Sequence, residues 1–151
     1  MATSTLGRIL GLDYGEKRIG LAISDPLRLT AQGLPTLERR SLEEDLRAIR
    51  DLIRANEVVG IVIGMPRRMD GTLGEQARRV QRFAEHLRRE TGLPVEDWDE
   101  RLTTVAAERA LLEGSVRRRD RRHLRDRIAA VLILQGYLDR LAAGGGQEEG
   151  G

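Results

Sequence analysis

The sequence predicts an α/β domain in which helices cover both faces of a mixed β-sheet. Three strand-like segments come first, and strands then alternate with helices along the rest of the chain. The run VVGIVIG at 58–64 is continuously apolar, which is typical of a parallel strand that is covered on both faces. The segments between later strands carry apolar residues at helical spacing, and two of them begin with a capping pattern.

The first three strands are predicted to form an antiparallel meander. Residues 8–14 and 18–24 are apolar strands, and the short segment between them is expected to form the turn. Residues 30–37 predict a third strand, which an internal glycine and proline weaken. Parallel strands are expected at 58–64 and at 93–100, LPVEDWDE, which gives a five-stranded sheet.

Two amphipathic helices are predicted between these strands. Ser41 with Glu44, and Thr72 with Glu75, are spaced as capping boxes. Gly92 is expected to end the second helix. The apolar stripes expected to face the core are Leu42, Leu46, Ile49, Leu52 and Ile53 in the first helix and Ala77, Val80, Phe83, Ala84 and Leu87 in the second.

The C-terminal part of the sequence predicts further helices around a basic loop. A cap at Thr103 or Thr104 indicates a short helix to about Leu112. Residues 117–125, RRRDRRHLR, follow as a basic loop. The last helix is then expected to run to about Leu141.

Length and composition limit the possible functions. A chain of 151 residues fits one domain, which we expect over 1–141, followed by a flexible Gly/Glu-rich tail over 142–151. Cysteine is absent and His86 and His123 are the only histidines, which excludes thiolate sites and argues against a His-rich zinc site. The sequence has no membrane-length apolar run, and MATSTLGR lacks the apolar region of a signal peptide. We therefore expect a cytoplasmic protein without a membrane partner.

A carboxylate interrupts the first strand. Asp13 shares a predicted face with Gly11 and Gly15, while Leu10 and Leu12 point to the opposite, apolar face. Small residues of the second strand are expected to complete a face with room for a ligand close to the backbone. A charge in a strand needs a metal ion, water or a partner, and an arginine at the sheet edge would also satisfy it.

Two further acids are expected to converge on Asp13. Glu100 ends the last predicted strand, and Asp126 lies near the start of the last helix on an otherwise apolar surface. Three carboxylates at the carboxyl ends of parallel strands would repel one another unless a divalent cation such as Mg²⁺ were bound. Two such ions can activate water and stabilise the leaving oxygen of a phosphodiester. Singly, each acid could instead be a surface carboxylate paired with a neighbouring arginine.

Four motifs carry a resemblance to a known family: LGLDYGEKRIGLAISD, IVIGMPRRMDGTLGEQA, DERLTT and DRIAAVLILQGYLD. Over residues 8–141 the chain resembles the YqgF/RuvX family, which is related to Holliday junction resolvases. The resemblance implies a ribonuclease H-like fold and a metal-dependent nuclease that matures the 5′ end of precursor 16S ribosomal RNA. It also implies that the catalytic acids, which bind Mg²⁺ or Mn²⁺, are Asp13, Glu100 and Asp126. One departure is Arg68, where the family usually has Asn before Met-Asp-Gly, and this leaves the role of the loop open.

Basic residues near these acids are the predicted contacts to a phosphate backbone. They lie at the first turn, in the 64–71 loop, beside Glu100 and in the basic loop that precedes Asp126. A solvated surface would explain the basic loop equally well. The predicted contacts are Lys17, Arg18, Arg67, Arg68, Arg101, Arg117, Arg118, Arg121 and Arg122.

Other functions fit parts of the sequence. The actin and sugar-kinase class of ATPases also has an apolar-Asp-x-Gly phosphate loop, but Glu16 follows here and that class needs a second, similar domain. A non-catalytic RNA-binding module for ribosome assembly would fit the basic loop, and only activity separates it from a nuclease. A Holliday junction resolvase would share the chemistry but needs two sites, usually on a dimer. The sequence leaves open whether the protein is a monomer or a homodimer, and whether it acts on structured RNA or branched DNA.

Overall fold

Five strands form one mixed sheet, of order β3-β2-β1-β4-β5, in the computed structural model. The structure describes residues 7–102 and 118–150, the latter range with its side chains over 124–144. β1 pairs antiparallel with β2 and β2 with β3, whereas β1 and β5 both run parallel to β4. All five predicted strands are therefore confirmed, although the last is shorter than 93–100. The strands are β1 (Arg8–Tyr14), β2 (Arg18–Ser24), β3 (Ala31–Glu38), β4 (Val58–Met65) and β5 (Val95–Asp99).

The first two helices cover one face of this sheet. α1 (Leu42–Asn56) and α2 (Glu75–Thr91) pack apolar residues on Leu10 and Leu12 of β1 and on the apolar residues of β2 and β4. The predicted core stripe of α1 is wrong at its first residue, Leu42, which is 41% exposed. The predicted apolar face of the first hairpin is confirmed, because side chains two residues apart on a strand point to the same side. Each Å² of apolar surface buried here contributes about 25 cal/mol to the free energy of unfolding.

One helix cap follows the prediction and the other does not. The Ser41 hydroxyl oxygen accepts the backbone N–H of Glu44 at 3.1 Å at the start of α1, as predicted. Thr72 was expected to cap α2, and this prediction is wrong because Gly74 occupies the cap position. Thr72 instead donates its hydroxyl proton to the Asp70 carboxylate at 2.7 Å, a local turn that competes with capping. Gly92 ends α2 in the left-handed region, with φ of 71°, as predicted.

The last helix, α3 (Arg118–Gly150), is longer than predicted at both ends. The predicted basic loop at 117–125 is helical from Arg118 onward, and arginine is a good helix former. Asp126 therefore lies well inside the helix, so the prediction that it lies near the start is wrong. The predicted helix end near Leu141 is also wrong, because alanines continue the helix before the glycines. The division into a domain over 1–141 and a tail over 142–151 stays a prediction.

α3 covers the second face of the sheet, where small residues let its backbone approach closely. A Cβ atom on Gly11 would lie 2.8 Å from the Cβ of Leu134, and one on Gly20 would collide with the carbonyl oxygen of Asp126. The expectation that this whole face is open to a ligand is therefore wrong, since α3 fills most of it. The helix predicted from Thr103 or Thr104 to Leu112 lies outside the described residues. Within the described ranges, no helix is both long and apolar enough to cross a membrane.

Candidate active site

The packing of α3 on β2 brings Asp126 beside Asp13. Asp13 of β1 is the register partner of Gly20 in β2. The backbone of α3 at Asp126 rests directly on Gly20, where any side chain would push it away. A carboxylate from a helix and one from a strand are thus placed side by side, on the α3 face of the sheet. Asp13 is only 8% exposed, which makes it one of the few buried charged residues in the described part of the chain.

Glu100 joins these two acids from the end of β5. The strand itself ends at Asp99, and Glu100 begins a short 3₁₀ turn, one residue later than predicted. Its carboxylate lies over Gly64 of β4, where a Cβ atom would come within 2.7 Å of Oε2. A glycine at this position of β4 is needed for Glu100 to reach inward across the strand. The Glu100 side chain therefore turns toward the α3 face, which it shares with Trp98 of β5 as predicted.

The three acids line one pocket of about 310 Å³. It opens where β1 and β4 end, and β5 ends beside them, so the predicted convergence at the carboxyl ends of parallel strands is observed. The remaining lining is polar apart from a proline and a tyrosine. The other residues around the pocket are Tyr14, Gly15, Pro66, Gln76 and Arg125.

Arg18 binds one of the three carboxylates. Its Nε lies 3.0 Å from Oδ2 of Asp126, and the two side chains are only 15% and 19% exposed. Arg18 was predicted to contact substrate from the tip of the first hairpin, but its guanidinium is directed to the acid pocket. The pair neutralises a charge that would otherwise repel Asp13 across the pocket.

The donor set of the pocket suits a hard divalent cation. Its candidate metal ligands are carboxylates, the sequence has no cysteine, and none of the described residues that line the pocket is a histidine. Among the side chains described, those of 7–102 and 124–144, no group of three acidic or histidine residues is arranged to hold one metal ion. Mg²⁺ needs only one or two carboxylates, because waters and substrate phosphates complete its shell. The residues therefore fit such an ion, provided that Asp126 exchanges Arg18 for the metal.

Two of the predicted phosphate contacts are bound to a neighbouring acid. Arg101 donates to Oδ2 of Asp99 at 2.7 Å, and the Nε of Arg67 lies 3.9 Å from the same oxygen. The hydrogen bond from Arg101 holds the pKa of the Asp99 carboxyl below its ordinary value. Arg101 also donates to the carbonyl oxygen of Met69 at 3.2 Å. These contacts fasten the 66–74 loop to the end of β5, directly beside Glu100.

Of the other predicted contacts, only Lys17 and Arg68 have described side chains. Lys17 is exposed in the turn, and the Arg68 guanidinium lies beside Gly74 at the start of α2. Arg117 falls outside the described residues. Arg118, Arg121 and Arg122 lie in the first turns of α3. Phosphate binding by all these residues stays a prediction.

Sequence reasoning missed two groups that build the pocket. The Gln76 side-chain amide donates to the carbonyl oxygen of Tyr14 at 2.9 Å and ties α2 to the end of β1. Arg39 donates to the carbonyl oxygens of Gly15 and Glu16 at 2.8 and 2.9 Å and fixes the first turn. Gln76 could have been inferred from its place just after the 66–74 loop. Nothing in the sequence pattern distinguishes Arg39 from the other surface arginines.

The strand order and the helices on both faces of the sheet are those of the ribonuclease H-like fold. RuvC of T. thermophilus, solved in complex with a Holliday junction substrate, shares this fold with a TM-score of 0.57 at 14% identity. The likeness covers 89% of this chain and 96% of that one and concerns the fold alone. Residues 7–140 match the family described as "RuvX: Holliday junction resolvase", and the chain belongs to that family. The resemblance and the fold predicted from the sequence are both confirmed.

Curated relatives match almost the whole chain. A protein of Moorella thermoacetica is 57% identical over 138 residues, which is 91% of this chain and 99% of the relative. A protein of Symbiobacterium thermophilum is 56% identical over 136 residues, which is 90% of this chain and 94% of the relative. Both relatives carry the name "Putative pre-16S rRNA nuclease".

Proposed function

We propose that this protein is a metal-dependent nuclease that hydrolyses phosphodiester bonds in precursor 16S ribosomal RNA. The observation that carries the proposal is the convergence of Asp13, Glu100 and Asp126 on one pocket. Membership of the RuvX family and the names of the relatives support a hydrolase that acts on nucleic acid. Processing of ribosomal RNA would take place in the cytoplasm.

The three acids would hold Mg²⁺ or Mn²⁺, and such an ion would supply an activated water and stabilise the charge of the leaving oxygen. Asp13 offers a carboxylate whose position the sheet fixes, because its strand is hydrogen-bonded on both sides. Asp126 becomes available when Arg18 releases it. Arg18 then remains at the pocket wall as a cation that can take a phosphate oxygen of the substrate. The buried setting strengthens each of these interactions relative to water.

A second candidate is cleavage of branched DNA. The description of the matched family and the fold shared with RuvC favour it. The two candidates share one chemistry at the acid pocket and differ in what surrounds it. Junction resolution requires two such pockets facing opposed strands, and therefore a symmetric dimer.

The test incubates the protein with precursor 16S RNA and with a four-way DNA junction, each with Mg²⁺, with Mn²⁺ and with chelator. We expect metal-dependent shortening of the RNA at its 5′ end. Cleavage of the junction alone would favour the resolvase. Cleavage that persists with chelator would contradict a metal-dependent enzyme.

The matched variants are Asp13→Asn and, as control, Asp51→Asn on the exposed side of α1. Asp13→Asn removes a metal ligand but keeps the shape of the side chain, so cleavage should fall by about two orders of magnitude or more. The melting temperature should be kept, and its rise on adding Mn²⁺ should be lost. Asp51→Asn should cleave normally. If Asp13→Asn unfolds instead, Asp13 is a structural residue and the proposed site is wrong.

A further inference from the structure

A second cleft, of about 320 Å³, lies next to the acid pocket between α1 and α2. Tyr14, at the end of β1, lines both. None of the described side chains that line the second cleft is a carboxylate. We call it the basic cleft; its main lining residues are Tyr14, Arg39, Arg79, Arg82, Phe83 and His86.

The cations of the basic cleft are placed in a line that starts at the acid pocket. Gln76 lines the pocket itself, and Arg79 and Arg82 follow along α2 toward His86. Residues three or four positions apart share one face of a helix, so these side chains form one stripe. The stripe leads away from the three acids along the α1 side of α2.

Arg39 is held rigidly at the near end of the cleft. Its Nη1 donates to two carbonyl oxygens of the first turn, and its guanidinium lies 4.4 Å from the ring centroid of Tyr14. Its Nε lies 3.9 Å from the carboxylate of Asp45, and this buried nitrogen makes no hydrogen bond to any described residue. The charge of Arg39 is therefore fixed in place and only loosely compensated.

Arg79 and Arg82 are available to an anion. Arg79 pairs with Glu16 at 3.6 Å and with Glu75 at 3.5 Å, but both glutamates are 76% exposed. Ion pairs this exposed are weak, and a phosphate group can displace them. Arg82 is exposed and makes no ion pair with a carboxylate in residues 7–102 or 124–144.

The aromatic floor of the cleft is closed to bases. The ring of Phe83 stacks on the ring of Tyr14 with centroids 4.2 Å apart, and the Arg39 guanidinium also lies over the Tyr14 ring. Two groups this close to the ring centre take up its two faces, which leaves none for a nucleobase. The cleft thus offers cations and donors without a stacking surface.

We propose that the basic cleft binds the phosphate backbone of the nucleic acid strand adjacent to the scissile bond, without regard to base sequence. The inference rests on the proposed nuclease function and adds a subsite on the α1–α2 side of the sheet. The strand would run from the acid pocket past Tyr14 and along the stripe of α2. Arg79, Arg82 and His86 would hold its phosphates.

The test measures binding of single-stranded RNA of mixed sequence in chelator, as a function of salt. The variant is Arg79→Gln with Arg82→Gln, and the control is Arg54→Gln with Arg89→Gln, which removes the same charge from exposed positions outside the cleft. Each phosphate that is no longer bound should flatten the log–log salt slope by about 0.7 and weaken binding roughly 5-fold at 0.1 M salt. The cleft variant should therefore bind roughly 25-fold more weakly, and the control nearly as tightly as the unmodified protein. Melting temperatures of both variants confirm that each is folded.

Two results would overturn the inference in distinguishable ways. If the unmodified protein binds and cleaves RNA and the cleft variant keeps the affinity and salt slope of the control, the cleft binds no backbone and the nuclease function stands. If the unmodified protein neither binds RNA nor cleaves it with Mg²⁺ or Mn²⁺, the proposed function fails and the subsite fails with it. A loss confined to RNA long enough to reach beyond the acid pocket would support the subsite.

Discussion

At the scale of single residues, the position of Asp126 depends on two contacts from β2. Gly20 admits its backbone, and Arg18 holds its carboxylate. The arginine keeps three acids together by neutralising one of them, but it also occupies a group that a metal ion would need. Metal binding at the proposed site would therefore be an exchange of one cation for another.

Arg18→Gln tests this exchange. Without its partner, Asp126 is left among other carboxylates, and the metal-free protein should lose about 1.5–3 kcal/mol of unfolding free energy. The rise in melting temperature on adding Mn²⁺ should become larger, because no guanidinium competes for the carboxylate. Thermal unfolding of protein and variant across a Mn²⁺ titration measures both effects. An unchanged metal-free stability together with an unchanged metal response would contradict the role assigned to Arg18.

Asp45 shows why single acids cannot be ranked from the sequence. It lies in the first turn of α1 with Glu43 and Glu44, where three successive acids look equally exposed. Only Asp45 is buried, at 3% exposure, because it accepts the backbone N–H of Arg40 at 3.0 Å. Asp13, by contrast, could be singled out, because aspartate is rare in strands and a carboxylate between apolar strand residues therefore indicates a specific role.

At the scale of elements, the packing of α3 against β1 and β2 decides the geometry of the site. The sequence identified the small residues on this face but could not tell whether they made room for a ligand or for a helix. A ligand and a packed helix both need small residues on this face. Which of the two occupies it depends on where α3 packs, and α3 is distant in sequence. The strands themselves could be predicted because their period-two pattern is local.

Gly20→Ala tests the packing of α3. The added methyl group would collide with the carbonyl oxygen of Asp126, so the helix must shift or the core must loosen. We expect a loss of about 1–3 kcal/mol in unfolding free energy and reduced cleavage, because Asp126 moves relative to Asp13. Gly60→Ala on β4 is the control. The added Cβ atom there would lie 3.2 Å from the flexible end of the Ile9 side chain, which can move aside. Equal effects of the two substitutions in denaturant titrations would show that α3 packing is not the cause.

The link between the 66–74 loop and β5 should depend on pH. The hydrogen bond from Arg101 lowers the pKa of Asp99 below its usual 3.8, so its contribution is complete above that value. It should be lost as the pH falls through the lowered pKa of the folded state. The difference in unfolding free energy between the protein and its Asp99→Asn variant should therefore be largest near neutral pH and shrink in acid. Denaturant titrations at several pH values measure it, and a difference that stays constant into strong acid would show that the charge of Asp99 is irrelevant.

At the scale of the whole molecule, the apolar run of β4 and the spacing of four motifs were enough to predict the fold class. The same information placed Asp13 and Glu100 at one end of the sheet, because parallel strands bring their carboxyl ends together. The sequence could not predict how the positive charge is distributed over the surface. Among the described residues, arginines that look alike in sequence include two bound by Asp99, one bound by Asp126 and others that line the basic cleft.

The arginines of the 117–125 stretch test how far that distribution guides a substrate. Neutralising Arg117, Arg118, Arg121 and Arg122 should weaken RNA binding across sequences and flatten its salt dependence, by about 0.7 in the log–log slope for each phosphate of a single strand that is no longer bound. A control that changes Arg47, Arg54, Arg78 and Arg89 to glutamine removes the same four charges from exposed positions on α1 and α2. If attraction by the net charge alone mattered, both quadruple variants would lose affinity alike, because each removes four positive charges. A selective loss in the 117–122 variant, seen in binding isotherms at several salt concentrations, would show that the nucleic acid backbone is bound near this stretch, and equal losses would show an effect of net charge.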